Sequence, residues 1–402
     1  MLDVDALFYQ KTKMKKHYVA ILTFLCLGAH AQVTQIGSDS LLDIGCWNIE
    51  WFGDATNGPS DELLQYTNVK NLLNNTDIDI WGLAEVSNPT TFTSLLTEMV
   101  EYEAVVSRFS QTQKTALIWK KNKFDVINSG NILTESIYNY DFAGRPPLEV
   151  VLRSKDTIQT DTFYCYVLHL KANTGNQSEK ESSYTRRKNA AGFLKTFLDQ
   201  NRSQKKVIVL GDWNDDLDES IVSVNGNYLV SPFANFTSDS SRYFYPSLWL
   251  TTSNKQSTVS YPNMIDHHLI SSSLKDSFYI QNSALVMTQT ASQIPNFGNS
   301  TSDHYPILSK YNMKRKTKPL PTGLVELMPN SIIVFPNPAS QTVSIQSLYP
   351  VLKLMLCSSN GQFIDVTNKH QQLDVSALPN GLYTLLIDTE KGKTVHRLWI
   401  NH

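Results

Sequence analysis

The sequence predicts an α/β sandwich of mixed β-sheets with helices outside, followed by a small antiparallel β-sandwich. Three observations predict it. From about residue 38 to 312, short apolar runs alternate with helical patterns but without strict βαβ regularity. A charged, proline-bearing break follows at residues 314–323. Beyond the break, alternation at period two is punctuated by Asn360-Gly361 and Pro379-Asn380-Gly381 turns. With 402 residues, 41% of them hydrophobic and 18% charged, the chain can bury more than one core.

In chain order, Lys13-Met14-Lys15-Lys16-His17 precedes a mostly apolar run from Val19 to Ala29 and then Ala29-His30-Ala31-Gln32. Basic residues, an apolar core and small residues at a cleavage point predict a secretory signal peptide over residues 1–31. The apolar run is too short to cross a bilayer and no later stretch is longer, so no transmembrane segment is expected in the mature chain. A first domain is expected over residues 38–312, with strands at Leu41–Trp47, Ile78–Val86, Thr115–Trp119, Leu148–Leu152, Phe163–Leu168, Val207–Leu210 and Met264–Ile270. Leu63, Tyr66, Val69, Leu72 and Leu73 predict one helix, and Ala190, Phe193, Leu194, Phe197 and Leu198 another. A linker is expected over 313–327 and a β-rich domain over 328–402, where Val343 and Ile345, then Val395, Arg397 and Trp399, alternate as strands do.

The chain carries a formal charge of −2, and removing the first 31 residues leaves about −4. That balance excludes a tight electrostatic clamp on nucleic acid but not phosphate chemistry, because a bound metal supplies positive charge at the site itself. After loss of Cys26 three cysteines remain, so at most one intramolecular disulfide can form. Cys46 and Cys165 could pair or could serve as buried thiols. No Cys/His cluster has zinc spacing.

Several apolar strands end abruptly in groups that bind metal or move protons. They are Trp47-Asn48-Ile49-Glu50, Leu83-Ala84-Glu85-Val86, Leu168-His169-Leu170, Gly211-Asp212-Trp213-Asn214, Ile265-Asp266-His267 and Ser302-Asp303-His304-Tyr305-Pro306. Strand ends of open α/β sheets converge on one crevice, so these six could share a site. Glu85, Asp212 and Asp303 are hard oxygen donors suited to Mg²⁺ or Mn²⁺, and Asn48 or Asn214 could add a carbonyl oxygen. His169 and His304 can face phosphate or carry protons near neutral pH, and Asp266 can fix the tautomer of a histidine.

As an ordered set these motifs resemble the endonuclease/exonuclease/phosphatase superfamily, whose members include pancreatic deoxyribonuclease I, apurinic endonucleases, sphingomyelinases and inositol-polyphosphate phosphatases. The resemblance covers residues 41 to about 312 and implies a four-layered α/β sandwich, two packed sheets flanked by helices. It implies that Glu85 is the principal metal carboxylate, with Asn48 and Asp303 beside the metal. Asp212 and Asn214 would orient the nucleophile and scissile phosphate. His169 would face the phosphate, Asp266 would orient His304, and Arg145 in Gly144-Arg145-Pro146-Pro147 would contact phosphate. Nucleases of the family place a glutamate near the position of Gln113, and an amide cannot raise a histidine's pKa as a carboxylate does. His169 is therefore expected to donate a hydrogen bond rather than act as the acid. Val334-Phe335-Pro336-Asn337-Pro338-Ala339, Leu378-Pro379-Asn380-Gly381-Leu382-Tyr383 and a terminal strand through Trp399 resemble the C-terminal sorting domain of type IX secretion cargo, which implies export through that machinery to the surface or medium.

The expected reaction is attack of water on a phosphoester, with His304 taking or relaying the proton and Mg²⁺, or Mn²⁺, as the ion; Ca²⁺ could be auxiliary. The expected enzyme is a monomeric, exported endonuclease acting on nucleic acid. The alternatives are a phospholipid or sphingomyelin phosphodiesterase, a phosphomonoesterase, or an inactive adhesive module. Tyr243-Phe244-Tyr245-Pro246-Ser247-Leu248-Trp249 is the one stretch that could dock to lipid.

Overall fold

The computed structural model describes residues 33–156, 160–313, 332–358, 363–366, 372–390 and 392–402. The expected signal peptide, the linker beyond Met313 and the Asn360-Gly361 turn lie outside the described residues. The chain divides into two units, residues 1–314 and 315–402.

The first unit runs β1 (Leu42–Phe52), α1 (Glu62–Asn75), β2 (Ile80–Val86), α2 (Pro89–Glu98), β3 (Tyr102–Val106), β4 (Lys114–Lys120), β5 (Phe124–Asn131), α3 (Ser136–Asn139), β6 (Leu148–Ser154), β7 (Thr162–His169), α4 (Gln177–Asn201), β8 (Lys206–Asp212), β9 (Glu219–Val224), β10 (Asn227–Val230), α5 (Ala234–Thr237), β11 (Tyr243–Phe244), α6 (Leu248–Thr252), β12 (Asp266–Ser271), α7 (Ser272–Phe278), β13 (Leu285–Val286), α8 (Thr288–Ala291), α9 (Phe297–Ser300) and β14 (Ile307–Tyr311). One sheet has the order β13-β14-β1-β2-β4-β3, the other β11-β12-β8-β7-β6-β5. Each is mixed: β1 with β2 and β7 with β8 are parallel, and their other neighbours are antiparallel.

Alternation along the strands builds four layers. Ile44, Cys46 and Ile80 of the first sheet bury against Val150, Cys165, Val167, Ile208 and Leu210 of the second. Gly82 lets the sheets close, since a Cβ there would lie 2.8 Å from the Leu210 Cβ. The opposite faces, with Trp47 and Trp81 on one sheet and Tyr166 and Val209 on the other, are covered by α1 and α2 and by α4 respectively. Cys46 and Cys165 are free, buried thiols, which removes the expected option of a disulfide. They act as small hydrophobes of the inter-sheet core.

Helix α1 is capped by the Asp61 side chain, which accepts from Leu64 N. Its buried face is Gln65, Val69, Leu72 and Leu73. Leu63, expected on that face, is 75% exposed because its spacing drifts off the stripe, and Gln65 takes the buried place by donating to the carbonyls of Ile49 and Glu50. Helix α4 starts with a capping box between Asn176 and Glu179 and buries Ala190, Leu194 and Leu198. Tyr243 and Tyr245, expected as a lipid-docking option, are buried around Phe236 and Trp213.

The second unit contains a three-stranded sheet of β15 (Ile332–Phe335), β16 (Thr342–Ser347) and β19 (Gln372–Asp374), in that order. A four-stranded sheet has the order β18-β17-β20-β21, formed by β17 (Val351–Ser358), β18 (Phe363–Asp365), β20 (Gly381–Thr389) and β21 (Gly392–Ile400). All pairs are antiparallel. Val343, Ile345, Leu356, Leu385, Leu398 and Ile400 form the core, so the period-two face through Val395 and Trp399 points outward. Among the described residues, no helix is long and apolar enough to cross a membrane.

Candidate active site

Strand register assembles the site. His169 ends β7, Asp212 ends β8 and Asp266 begins β12; His169 lies opposite Asp212 and Asp212 opposite Asp266. Gly211, at φ +134°, permits this crowding, since a Cβ would come within 2.1 Å of the Leu168 carbonyl oxygen. The first sheet contributes Asn48 from β1 and Glu85 from β2, where the pairing with β4 shifts register between Leu83 and Val86 and Glu85 adopts φ +64°. Such a bulge re-aims one side chain out of strand alternation. His304 comes in from the turn before β14, its carbonyl held by Trp47 Nε1 at 2.8 Å.

The polar atoms interlock. Asn48 Nδ2 donates to Glu85 Oε1 at 3.0 Å and to Asp212 Oδ2 at 3.1 Å, joining the two sheets. Its Oδ1 accepts from Glu50 N, so Asn48 turns its amide NH₂, not its carbonyl oxygen, toward the carboxylates. Glu85 Oε2 accepts from Trp51 N at 2.9 Å. His169 Nε2 stands 3.6 Å from Glu85 Oε1 and 3.8 Å from Asp212 Oδ2. Asp266 Oδ2 binds His304 Nδ1 at 2.8 Å, which aims His304 Nε2 toward Asp212 Oδ2, 3.9 Å away. Asp303 Oδ1 lies 3.9 Å from the same Nε2, on the exposed rim.

Burial and charge divide these groups into roles. Burial, followed by the cations of Arg145 and His304, holds His169 well below the ordinary imidazole range, so it is neutral. Its Nδ1 is buried with no partner among the described residues, which places the proton on Nε2, facing the carboxylates. Burial alone would lower His304 too, but the Asp266 and Asp212 carboxylates outweigh it and hold His304 well above its usual value. Burial and then the Asp266 charge push Asp212 up to about 7.

Arg145 is fixed by three bonds, from Nε to His169 O at 3.0 Å, from one terminal nitrogen to Leu170 O at 2.8 Å and from the other to Gln113 Oε1 at 2.7 Å. Gln113 therefore supports Arg145, not His169 as the family comparison suggested, because the guanidinium lies between them. Asn214 N donates to Asp212 Oδ1 at 2.9 Å and its Nδ2 to Leu170 O at 3.1 Å. Glu85, Arg145, His169, Asp212, Asn214, Asp303 and His304 all line one cavity of about 690 Å³. Asn48 and Asp266 stand behind that wall.

Sequence reasoning passed over two residues. Glu50, quoted only within its motif, accepts from Asp303 N at 2.9 Å and is pushed up to about 7 by burial and then by Asp303. Arg187, 0% exposed, donates to Asp215 Oδ2 at 2.7 and 3.0 Å and to Lys171 O at 2.8 Å. It ties the turn after His169 to the turn after Asp212. An arginine amid the apolar face of α4 was the one available signal.

The residues fit a divalent cation. Asp212, Asp266 and His304 present ligand atoms within 4.8 Å of one another, but Asp266 Oδ2 is already committed to His304 Nδ1. Glu85 Oε1, which shares a single Asn48 amide with Asp212 Oδ2, is the freer hard donor, and crowded buried carboxylates are what a cation relieves.

Residues 45–304 match the model of the Endonuclease/Exonuclease/phosphatase family. The chain belongs to the endonuclease/exonuclease/phosphatase family. This family member is a metal-dependent hydrolase of phosphoester bonds. Its residues 333–401 match a secretion-system C-terminal sorting domain, the type IX export tail, which marks the phosphoesterase for the cell surface or the medium. No curated protein matches the sequence. Similar solved structures include the human nocturnin catalytic domain, 17% identical with a TM-score of 0.47, covering 68% of this chain and 93% of that one. Humanized D. rerio TDP2 is 14% identical with a TM-score of 0.49, over 68% and 99% of the two chains. A Bacteroides thetaiotaomicron mannosyl-6-phosphatase is 13% identical with a TM-score of 0.44, over 67% and 99%.

Proposed function

We propose that this phosphoesterase is an exported endonuclease that hydrolyses nucleic-acid phosphodiester bonds by in-line attack of water. The observation that carries the reading is the geometry of the buried Asp212 carboxylate, set on an open cavity 3.8 Å from His169 Nε2 and 3.9 Å from His304 Nε2, with His304 held in turn by Asp266. A carboxylate held at the cavity wall between two imidazoles is placed to accept the proton of a water bound there. Water attacks phosphorus as its proton passes to Asp212, the P–O bond on the opposite side breaks, and the departing alkoxide takes a proton from solvent. His304, kept cationic by Asp266, donates from Nε2 to a phosphate oxygen, so the proton-acceptor role expected of it moves to Asp212. His169 donates from Nε2 as a neutral group, and Asn214 and Arg145 position the phosphate.

Mg²⁺ is the ion proposed, held by Glu85 with Asp303 on the rim and with Asn48 orienting the carboxylates. When bound it would supply positive charge against the charge that develops on the phosphate. The lipid alternative loses the feature that suggested it, because Tyr243 and Tyr245 are core residues. Purified protein incubated with plasmid DNA, RNA, sphingomyelin and a phosphomonoester, with Mg²⁺ or with chelator, tests the reading. Metal-dependent internal cuts in nucleic acid are expected, and turnover confined to lipid or monoester would refute it.

A further inference from the structure

The cavity wall on the His169 side carries more positive charge than one scissile phosphate needs. Arg145, Lys171 and Arg186 all line it, and no carboxylate forms an ion pair with any of them among the described residues. Arg187, the next cation along α4, is by contrast neutralised by Asp215. Glu179, near the start of the same helix, is committed to its capping box, with Oε2 accepting from Asn176 N at 2.7 Å. A chain with a formal charge of −2 thus places on one half-buried wall three cations that have no ion-pair partner among the described residues. Holding like charges together costs free energy that an anionic ligand would offset.

Arg186 is also built into place. Its Nε and one terminal nitrogen donate to Tyr140 O at 2.9 and 2.6 Å, and its guanidinium stacks over the Tyr140 ring at 4.3 Å. The second terminal nitrogen has no protein acceptor among the described residues. Lys171 follows the turn after His169, its carbonyl held by Arg187, with its ammonium uncommitted. Arg145 is spent on the backbone around His169 and serves the scissile phosphate.

We propose that Lys171 and Arg186 form a second anion subsite that binds the next phosphate along a nucleic-acid strand. The inference rests on the nucleic-acid reading and deepens it, since a strand carries a phosphate at every step and a small diester carries one. A phosphorylated lipid headgroup offers the same chemistry, but Tyr243 and Tyr245 of the stretch that suggested lipid docking lie in the core.

The test compares bis(p-nitrophenyl) phosphate, which has a single phosphate, with a short fluorogenic oligodeoxynucleotide, using the full chain with Mg²⁺. Arg186→Gln and Lys171→Met should each raise KM for the oligonucleotide about tenfold, the worth of one charge-assisted contact. They should leave its kcat and all kinetics on the small diester unchanged, and each should flatten the salt dependence of oligonucleotide KM. Oligonucleotide cleavage with unchanged KM in both variants, or equal losses on both substrates, would overturn the subsite alone. Turnover of the small diester without any cleavage of the oligonucleotide would overturn the nucleic-acid reading as well. A KM effect seen only on phosphoinositide vesicles would assign the wall to a lipid headgroup instead.

Discussion

Replacing Arg187 with methionine probes the link between the fold and the site. The side chain is 0% exposed, and so is Asp215, whose Oδ2 receives two of its N–H groups. In the variant Asp215 keeps the Ser220 hydroxyl at 2.8 Å, Ile221 N at 2.7 Å and Asp216 N at 3.0 Å, and Lys171 O loses its donor. Breaking a buried ion pair from one side costs about 3–5 kcal/mol, because the remaining charge stays desolvated. At about 2–4 °C per kcal/mol for a domain of this size, melting of the first unit should fall by roughly 6–20 °C. Thermal unfolding followed by near-ultraviolet circular dichroism reads this directly, with Trp213 packed in the affected loop. Arg187→Lys keeps the charge but loses the fork and should fall between. Below the melting range kcat should drop between about ten- and a hundredfold, since small displacements of reacting groups are costly. The Arg187→Met, Asp215→Asn double variant should recover part of the melting loss. A single variant melting within about 2 °C of wild type would refute the strap.

Asp212→Asn and His304→Ala should each lower kcat at least about a hundredfold with near-native melting, and together should cost little more than either alone; near-normal turnover with Mg²⁺ present would remove them from the chemistry. Glu85→Gln should raise the Mg²⁺ concentration for half-maximal activity at least about tenfold after chelation and readdition, and an unchanged requirement would place the ion elsewhere. His268 is held down to about 3 by burial, then by His267; its Nδ1 is paired with Ser309 and its Nε2 is buried without an acceptor among the described residues. The unfolded chain takes that proton near pH 6.5, so the stability it contributes is complete above pH 6.5 and is lost as pH falls toward 3, at up to about 1.4 kcal/mol per pH unit. Melting temperatures from pH 7.5 to 4.5 should therefore fall more steeply in wild type than in His268→Gln, and parallel curves would refute this. Deleting residues 328–402 should leave the enzyme in the periplasm of a type IX host, as cell fractionation and activity in the medium would show.

The local elements and the chemical vocabulary were legible in the amino-acid sequence. Runs such as Val207–Leu210 and Phe163–Leu168 read as buried strands because period and side-chain type are local properties, and the polar residues that end them could be named before any fold was known. What period alone could not weigh was a stripe with a polar member, so Leu63 was expected inside α1 and Gln65 took its place. The matching edges of the two sheets were beyond it altogether. Strand pairing placed His169, Asp212 and Asp266 side by side, because register is set across the sheet and one residue of slip would turn each side chain to the other face. Stacking of the sheets then decided that Asn48 offers its NH₂ to two carboxylates and that Gln113 serves Arg145. The same stacking buried Arg187 between two turns. Each of these depends on which atoms meet across long separations in sequence, and burial then shifted Asp212 upward and His169 downward to give each its role.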